Sequence, residues 1–194
     1  MSGELTKKQQ THRRILDAAS QSFKSHGYSG VGVDGIAKTA GVTSGAFYSH
    51  FGSKDNAFRV SLDAGLDEVI ETIPKIQNES GEAWIQTFVD YYLGPAHRKD
   101  IACGCAMTTL SPEVVRAAPE VHAAYEAKMD EIIELVANGL DGDSKNERLC
   151  RAWALISVLI GGLTVARAVQ TEEAAEKIAS CISNAAVSVA NGLA

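Results

Sequence analysis

Two clusters of residues in this chain could do chemistry. The first is Thr43-Ser44-Gly45, followed by Phe47 and His50. Small hydroxyl side chains at the start of a short helix can hydrogen-bond base edges in a major groove, and a glycine beside them permits close backbone approach. Phe47 can meet a thymine methyl or, through its four-residue spacing with Phe51, serve a core. His50 can face a nucleic-acid backbone or pack internally. The second cluster is Cys103-Gly104-Cys105, with His97 and Arg98 just upstream. Thiols near positive charge ionise more readily and could sense oxidants or electrophiles. The alternative is a buried thiol acting as a small hydrophobe or lining a pocket. A metal role fails on ligand count: a tetrahedral site needs about four ligands, and only His97, Cys103 and Cys105 cluster. No metal or cofactor is expected.

The elements that must position the first cluster can be read from Val33 to Lys54. Ile36, Ala37 and Ala40 share one face of a short helix. Gly41 marks the exit, because glycine alone reaches positive φ without steric cost. Thr43 is a candidate N-cap for the next helix. Phe47 and Phe51 give that helix its buried face and leave Ser44, Tyr48 and Ser49 outward. Two short helices locked by a glycine turn match a DNA-reading helix-turn-helix. Upstream, Thr6 and Gln9 can form a capping box, so a first helix is expected from Lys7, with Ile15, Leu16, Ala19 and Phe23 as its stripe and Gly27 as its end. Lys7, Lys8, Arg13 and Arg14 on it could reach a DNA backbone.

A family resemblance appears at these residues. Ile15-Leu16-x-Ala18-Ala19, Phe23, Gly27-Tyr28 and the run Val33-x-x-Ile36-Ala37-x-x-Ala40-Gly41-Val42-Thr43-x-Gly45-x-Phe47-Tyr48-x-His50-Phe51-x-Ser53-Lys54 resemble the N-terminal domain of TetR-family bacterial transcriptional regulators. The resemblance covers roughly the first third of the chain. It departs at Gly32, where the family usually offers a Ser or Thr cap, and at Ser44, where many members carry Lys or Arg. It implies phosphate contacts from Tyr48 and Lys54, a dimer, and a ligand pocket in the body.

Net charge is −6, yet residues 1–60 carry eight basic against four acidic side chains, and the remainder ten against twenty. A basic head on an acidic body suits a protein that touches phosphates at one end. The N-terminal segment MSGELTKKQQTHRR is polar, so no export signal is expected; the cysteines should be reduced thiols and the location cytoplasmic.

After the head, Ser53 can cap a linking helix over 54–74, expected to end near Pro74. The body, 75–194, has a helical pattern throughout. Ser111-Pro112-Glu113 reads as a helix start. The apolar run from Ala152 to Ala166 is 15 residues long, shorter than the roughly 20 a membrane span needs. It is expected as a helix buried on nearly all sides, pairing with a small-residue last helix. Two such helices per subunit would form a four-helix dimer interface over about 147–192, which the resemblance also implies. Trp84, Phe88, Tyr91, Tyr92, Cys103, Met107, Tyr125, Met129 and Trp153 are candidates for the ligand pocket, each also fit for plain core. No glycine-rich phosphate loop, zinc-type histidine pair or nucleophile elbow is present, so an enzyme is not expected.

The expectation is therefore an all-α protein: a three-helix helix-turn-helix head over 7–54 and a helical ligand-binding and dimerising body. It would bind a palindromic double-stranded operator as a homodimer and be released by a small molecule. The alternatives are a thiol-switched regulator using Cys103 and Cys105 or, in another class, a small helical enzyme.

Overall fold

A computed structural model describes residues 6–102 and 104–193; Cys103 lies outside the described residues. The head contains α1 (Lys7–His26), α2 (Val33–Thr39) and α3 (Ser44–Phe51). α4 (Lys54–Ser80) joins it to α5 (Trp84–Leu93), α6 (Pro95–Lys99), α7 (Ala106–Val114), α8 (Pro119–Asn138), α9 (Lys145–Ala168) and α10 (Glu172–Ala190). No strand occurs among the described residues.

The head folds as its sequence dictates. Thr6 caps α1 in a reciprocal capping box with Gln9. Ile15, Ala19 and Phe23 of α1 are buried with Ile36, Phe47, Phe51 and Phe58. Phe23 meets Phe58 edge-on at 5.3 Å between centroids, the geometry the aromatic quadrupole favours. Gly32 offers α2 no side-chain cap, as its residue type requires.

Two expected helix boundaries are corrected. α4 does not stop at Pro74 but runs to Ser80. Proline removes one helical donor, yet buried Ile73 and the Gln77 side chain, which donates to the Leu135 carbonyl at 3.0 Å, dock this turn on α8. Likewise α7 begins at Ala106 and carries Pro112 in its last turn. There the Ser111 hydroxyl donates back to the Met107 carbonyl at 2.5 Å.

In the body, α9 packs on α8 and α10. Leu155, Ile156, Leu159 and Leu163 are buried, and a Cβ at Gly162 would overlap Ile182 of α10. The helix is not enclosed on nearly all sides. Within one chain Trp153, Ser157, Gly161, Thr164 and Val165 remain exposed along it.

Candidate nucleic-acid interface and body cleft

The turn between α2 and α3 closes through main-chain hydrogen bonds from Gly41 to Lys38 (3.1 Å) and from Val42 to Ala37 (2.9 Å). Gly41 has φ +65°, a value that other residues adopt only with strain. The Thr43 hydroxyl then accepts from the Ala46 amide at 3.1 Å, fixing the start of α3. Thr43, Gly45, Tyr48 and Ser49 are exposed on one side of this helix. Tyr48 is 52% exposed.

Two of the expected DNA contacts, Phe47 and Ser44, are taken up within the head, and Lys54 lies against a ring of it. Phe47 is fully buried and stacks on Phe51 at 5.7 Å, so it holds α3 in the core and cannot meet a thymine methyl. The Ser44 hydroxyl donates to the Asp34 carboxylate on α2 at 2.5 Å, which ties the two helices together and commits that donor. The Lys54 ammonium sits 4.1 Å from the centroid of the Tyr28 ring. The Tyr28 hydroxyl donates to Asp55 at 2.5 Å. Burial, with help from Asp55, pushes the Tyr28 phenol up to about 12, so it stays a donor at any physiological pH. His50 is half-buried, its ring 5.7 Å from His12, and His12 stacks on Phe51 at 4.5 Å.

In the body, α4, α5, α6 and the segment leading into α7 enclose a cleft with about 60 Å³ of space. Its aromatic wall comes from Phe88, Tyr91 and Tyr92, its polar groups from Glu68, His97 and Cys105. His97 Nδ1 lies 2.8 Å from the Tyr91 carbonyl. A carbonyl only accepts, so Nδ1 carries the proton. Burial, with Arg167 and Lys24 nearby, lowers the His97 pKa, which leaves Nε2 an unprotonated acceptor at neutral pH. The Tyr92 hydroxyl bridges Thr108 at 2.8 Å and the Cys105 sulfur at 3.5 Å.

Residues 15–59 match the family described as bacterial regulatory proteins, tetR family. The head is a TetR-family helix-turn-helix domain. Among curated relatives, the uncharacterized HTH-type transcriptional regulator YfiR of Bacillus subtilis is 30% identical over 93 residues, 46% of this chain and 45% of that protein. The repressor NemR of Escherichia coli is 23% identical over 185 residues, 90% of this chain and 92% of NemR. The chain spans between 23% and 45% of the length of the first curated relatives it matches. In three dimensions it resembles the reduced form of E. coli NemR, with a TM-score of 0.73 and 20% identity over 90% of this chain and 96% of that one. It also resembles a TetR regulator of Legionella pneumophila, with a TM-score of 0.76 and 22% identity over 95% and 99%. At these identities the likeness establishes the fold: a TetR-type head on a helical body.

Within this TetR-type frame the expected pocket residues separate. Phe88 and Tyr92 line the cleft. Trp84, Met107 and Met129 are core, and the Trp84 indole donates to the Gly139 carbonyl at 3.0 Å. Tyr125 is engaged with Ser111 at 2.7 Å. Trp153 is 42% exposed on α9, away from the cleft lining. None of these five is among the residues that line the cleft. The thiol expectation is also corrected at Cys105. Burial raises its pKa, and Arg98 turns away to Glu172 and Glu176 on α10. Tyr91, also among the large side chains offered for a pocket, lines it too. His97 and Glu68 line it without having been read as lining residues, since neither is a large apolar side chain.

Proposed function

We propose that the chain is a DNA-binding transcriptional regulator, working as a repressor that a small molecule releases from a palindromic operator. One observation carries this reading: buried Phe47 and Phe51 anchor α3 so that Thr43, Gly45 and Tyr48 stand together on its exposed side. A helix presented in this way can enter a major groove, with Thr43 at base edges, the Gly45 backbone close by and Tyr48 on a phosphate. Lys54 would leave the Tyr28 face to join Tyr48 at the backbone.

The second subunit is supplied by the exposed side of α9 with α10. Trp153 and Val165 are large apolar side chains open to solvent in one chain, in line with Gly161 and Thr164. α9 is long and apolar enough to cross a membrane by length and composition. Its buried leucines and its close fit to α10 favour a four-helix dimer interface and a cytoplasmic location. Two heads would then meet half-sites about 34–36 Å apart.

Ligand coupling follows from the cleft. Its space of about 60 Å³ is far below the roughly 300 Å³ or more that small-molecule sites occupy. An effector must therefore select a widened form. Glu68, Val69 and Thr72 of the cleft belong to α4, the same helix whose start packs into the head. Widening moves α4 and so the spacing of the heads.

Selection of bound sequences from a random duplex pool tests the reading. Recovery of a pseudo-palindrome with half-sites one helical turn apart supports it. A pool that stays random after repeated rounds contradicts it.

A further inference from the structure

A cleft with about 280 Å³ of space lies between α1 and α3, lined by the polar residues Lys8, Gln9 and His12 on one side and Ser49 and His50 on the other. Lys8, Gln9 and His12 precede the stretch matched to the TetR family, which begins at residue 15. We propose that this cleft is a seat for one DNA backbone phosphate, and that it binds the phosphate with His12 and His50 both protonated, so that operator binding takes up protons. The proposal rests on the DNA-binding reading above.

The geometry supplies each part. His12 and His50 approach with ring centroids 5.7 Å apart, and Lys8 is their neighbour in the lining. Lys8 and His12 are the charged or titratable groups that α1 contributes, and His50 the one from α3. α2 and α4, which both pack against these two helices, add none: Asp34 and Lys38 of α2 and Lys54, Asp55 and Arg59 of α4 are outside the lining, and no carboxylate lines the cleft among the described residues. A phosphodiester oxygen set among Lys8, His12 and His50 accepts from the ammonium and from each ring N–H, and an anion beside an imidazole favours its charged form. Gln9 and Ser49 add neutral donors. His12 is held for the task by its stack on Phe51, 4.5 Å between centroids and 12° between planes. Phe51 in turn belongs to the core that positions α3. The seat therefore lies beside Tyr48 and fixes the register of the reading helix on the duplex.

Histidine is the side chain whose charge changes between about pH 5 and 8. Linkage is reciprocal: if DNA favours the protonated pair, protons favour DNA. Affinity must then fall as pH rises through that range.

The test is fluorescence anisotropy with selected duplex DNA at about pH 5.8 and about pH 7.8, with ionic strength held constant. Wild type should lose ~10-fold or more in affinity between the two, an average uptake of about half a proton or more across the two pH units. His12→Phe with His50→Gln keeps the ring stacked on Phe51 while removing both charges. This double variant should change by less than ~3-fold and match wild type at the higher pH. His50→Gln alone, which leaves the stack untouched, should show an intermediate slope, so the result does not hang on one variant's folding. Specific binding with a flat pH response in wild type overturns the seat and leaves the regulator standing. So does an unchanged slope in the double variant. Absence of specific duplex binding at either pH overturns both.

Discussion

Arg167 on α9 donates to the main-chain carbonyl of His97 through Nε at 3.1 Å and Nη2 at 2.5 Å. The same His97 lines the body cleft. Its neighbour Arg98 is buried and pairs with Glu172 at 3.0 Å and with Glu176. α6 is thus held by both α9 and α10, the helices proposed to form the dimer interface. Arg167→Ala leaves a carbonyl without its charged donor, a loss of about 1.5–3 kcal/mol for such bonds. Urea denaturation should show a lower midpoint with an unchanged slope. Wild-type stability would show that water replaces the guanidinium at no cost.

α9 and α10 pack tightly at Gly162. A Cβ there meets Ile182 at its own Cβ (3.0 Å) and Cγ1 (2.8 Å). Gly162→Ala gains up to about 1 kcal/mol in helix propensity but forces the two helices apart, an overpacking cost of about 1–3 kcal/mol. Thermal melting should fall by several degrees, whereas Gly35→Ala, exposed on α2 with open space around it, should leave it unchanged or raise it.

Much of the head was legible in the sequence because its signals are local. A glycine turn, a threonine cap and a Phe-x-x-x-Phe pair act within a few residues of themselves, and the structure keeps each of them. That same pair decides Phe47 for the core, since one face of an eight-residue helix cannot serve both the interior and a thymine methyl. What escaped reading depends on distant contacts. Pro74 and Pro112 looked like boundaries and are tolerated because Ile73, Gln77 and Ser111 find partners. The cleft exists only where α4, α5 and α6 converge, so Trp84 and Met129, equally large in the sequence, fall into core instead. Lys8 and His12, four apart on one face of α1, could have been read as a pair facing α3.

His97 predicts a pH effect on stability. Burial first, then the nearby Arg167 and Lys24, hold its folded pKa below the ordinary value. The unfolded chain therefore binds this proton more readily. Stability from His97 is complete above about pH 6.5 and declines as pH falls from there towards the folded pKa. Chemical denaturation across about pH 5 to 8 should show that decline. His97→Gln should flatten it.

Cys105 should be a slow thiol. Its raised pKa leaves little thiolate at neutral pH. In a Cys103→Ser, Cys150→Ser, Cys181→Ser background, alkylation by iodoacetamide should be slow near pH 7 and climb only above about pH 8.5. Rapid reaction at neutral pH would revive the thiol-switch alternative.

The most direct test of the central claim is fluorescence anisotropy of the full chain with DNA flanking its own gene, across a salt series, beside Tyr48→Ala. The account predicts tight binding to a palindromic segment, an affinity falling steeply as salt rises, and a loss of at least ~10-fold in Tyr48→Ala, whose side chain is 52% exposed and whose removal leaves the head's core intact. Binding that ignores sequence, salt and Tyr48 alike would contradict it.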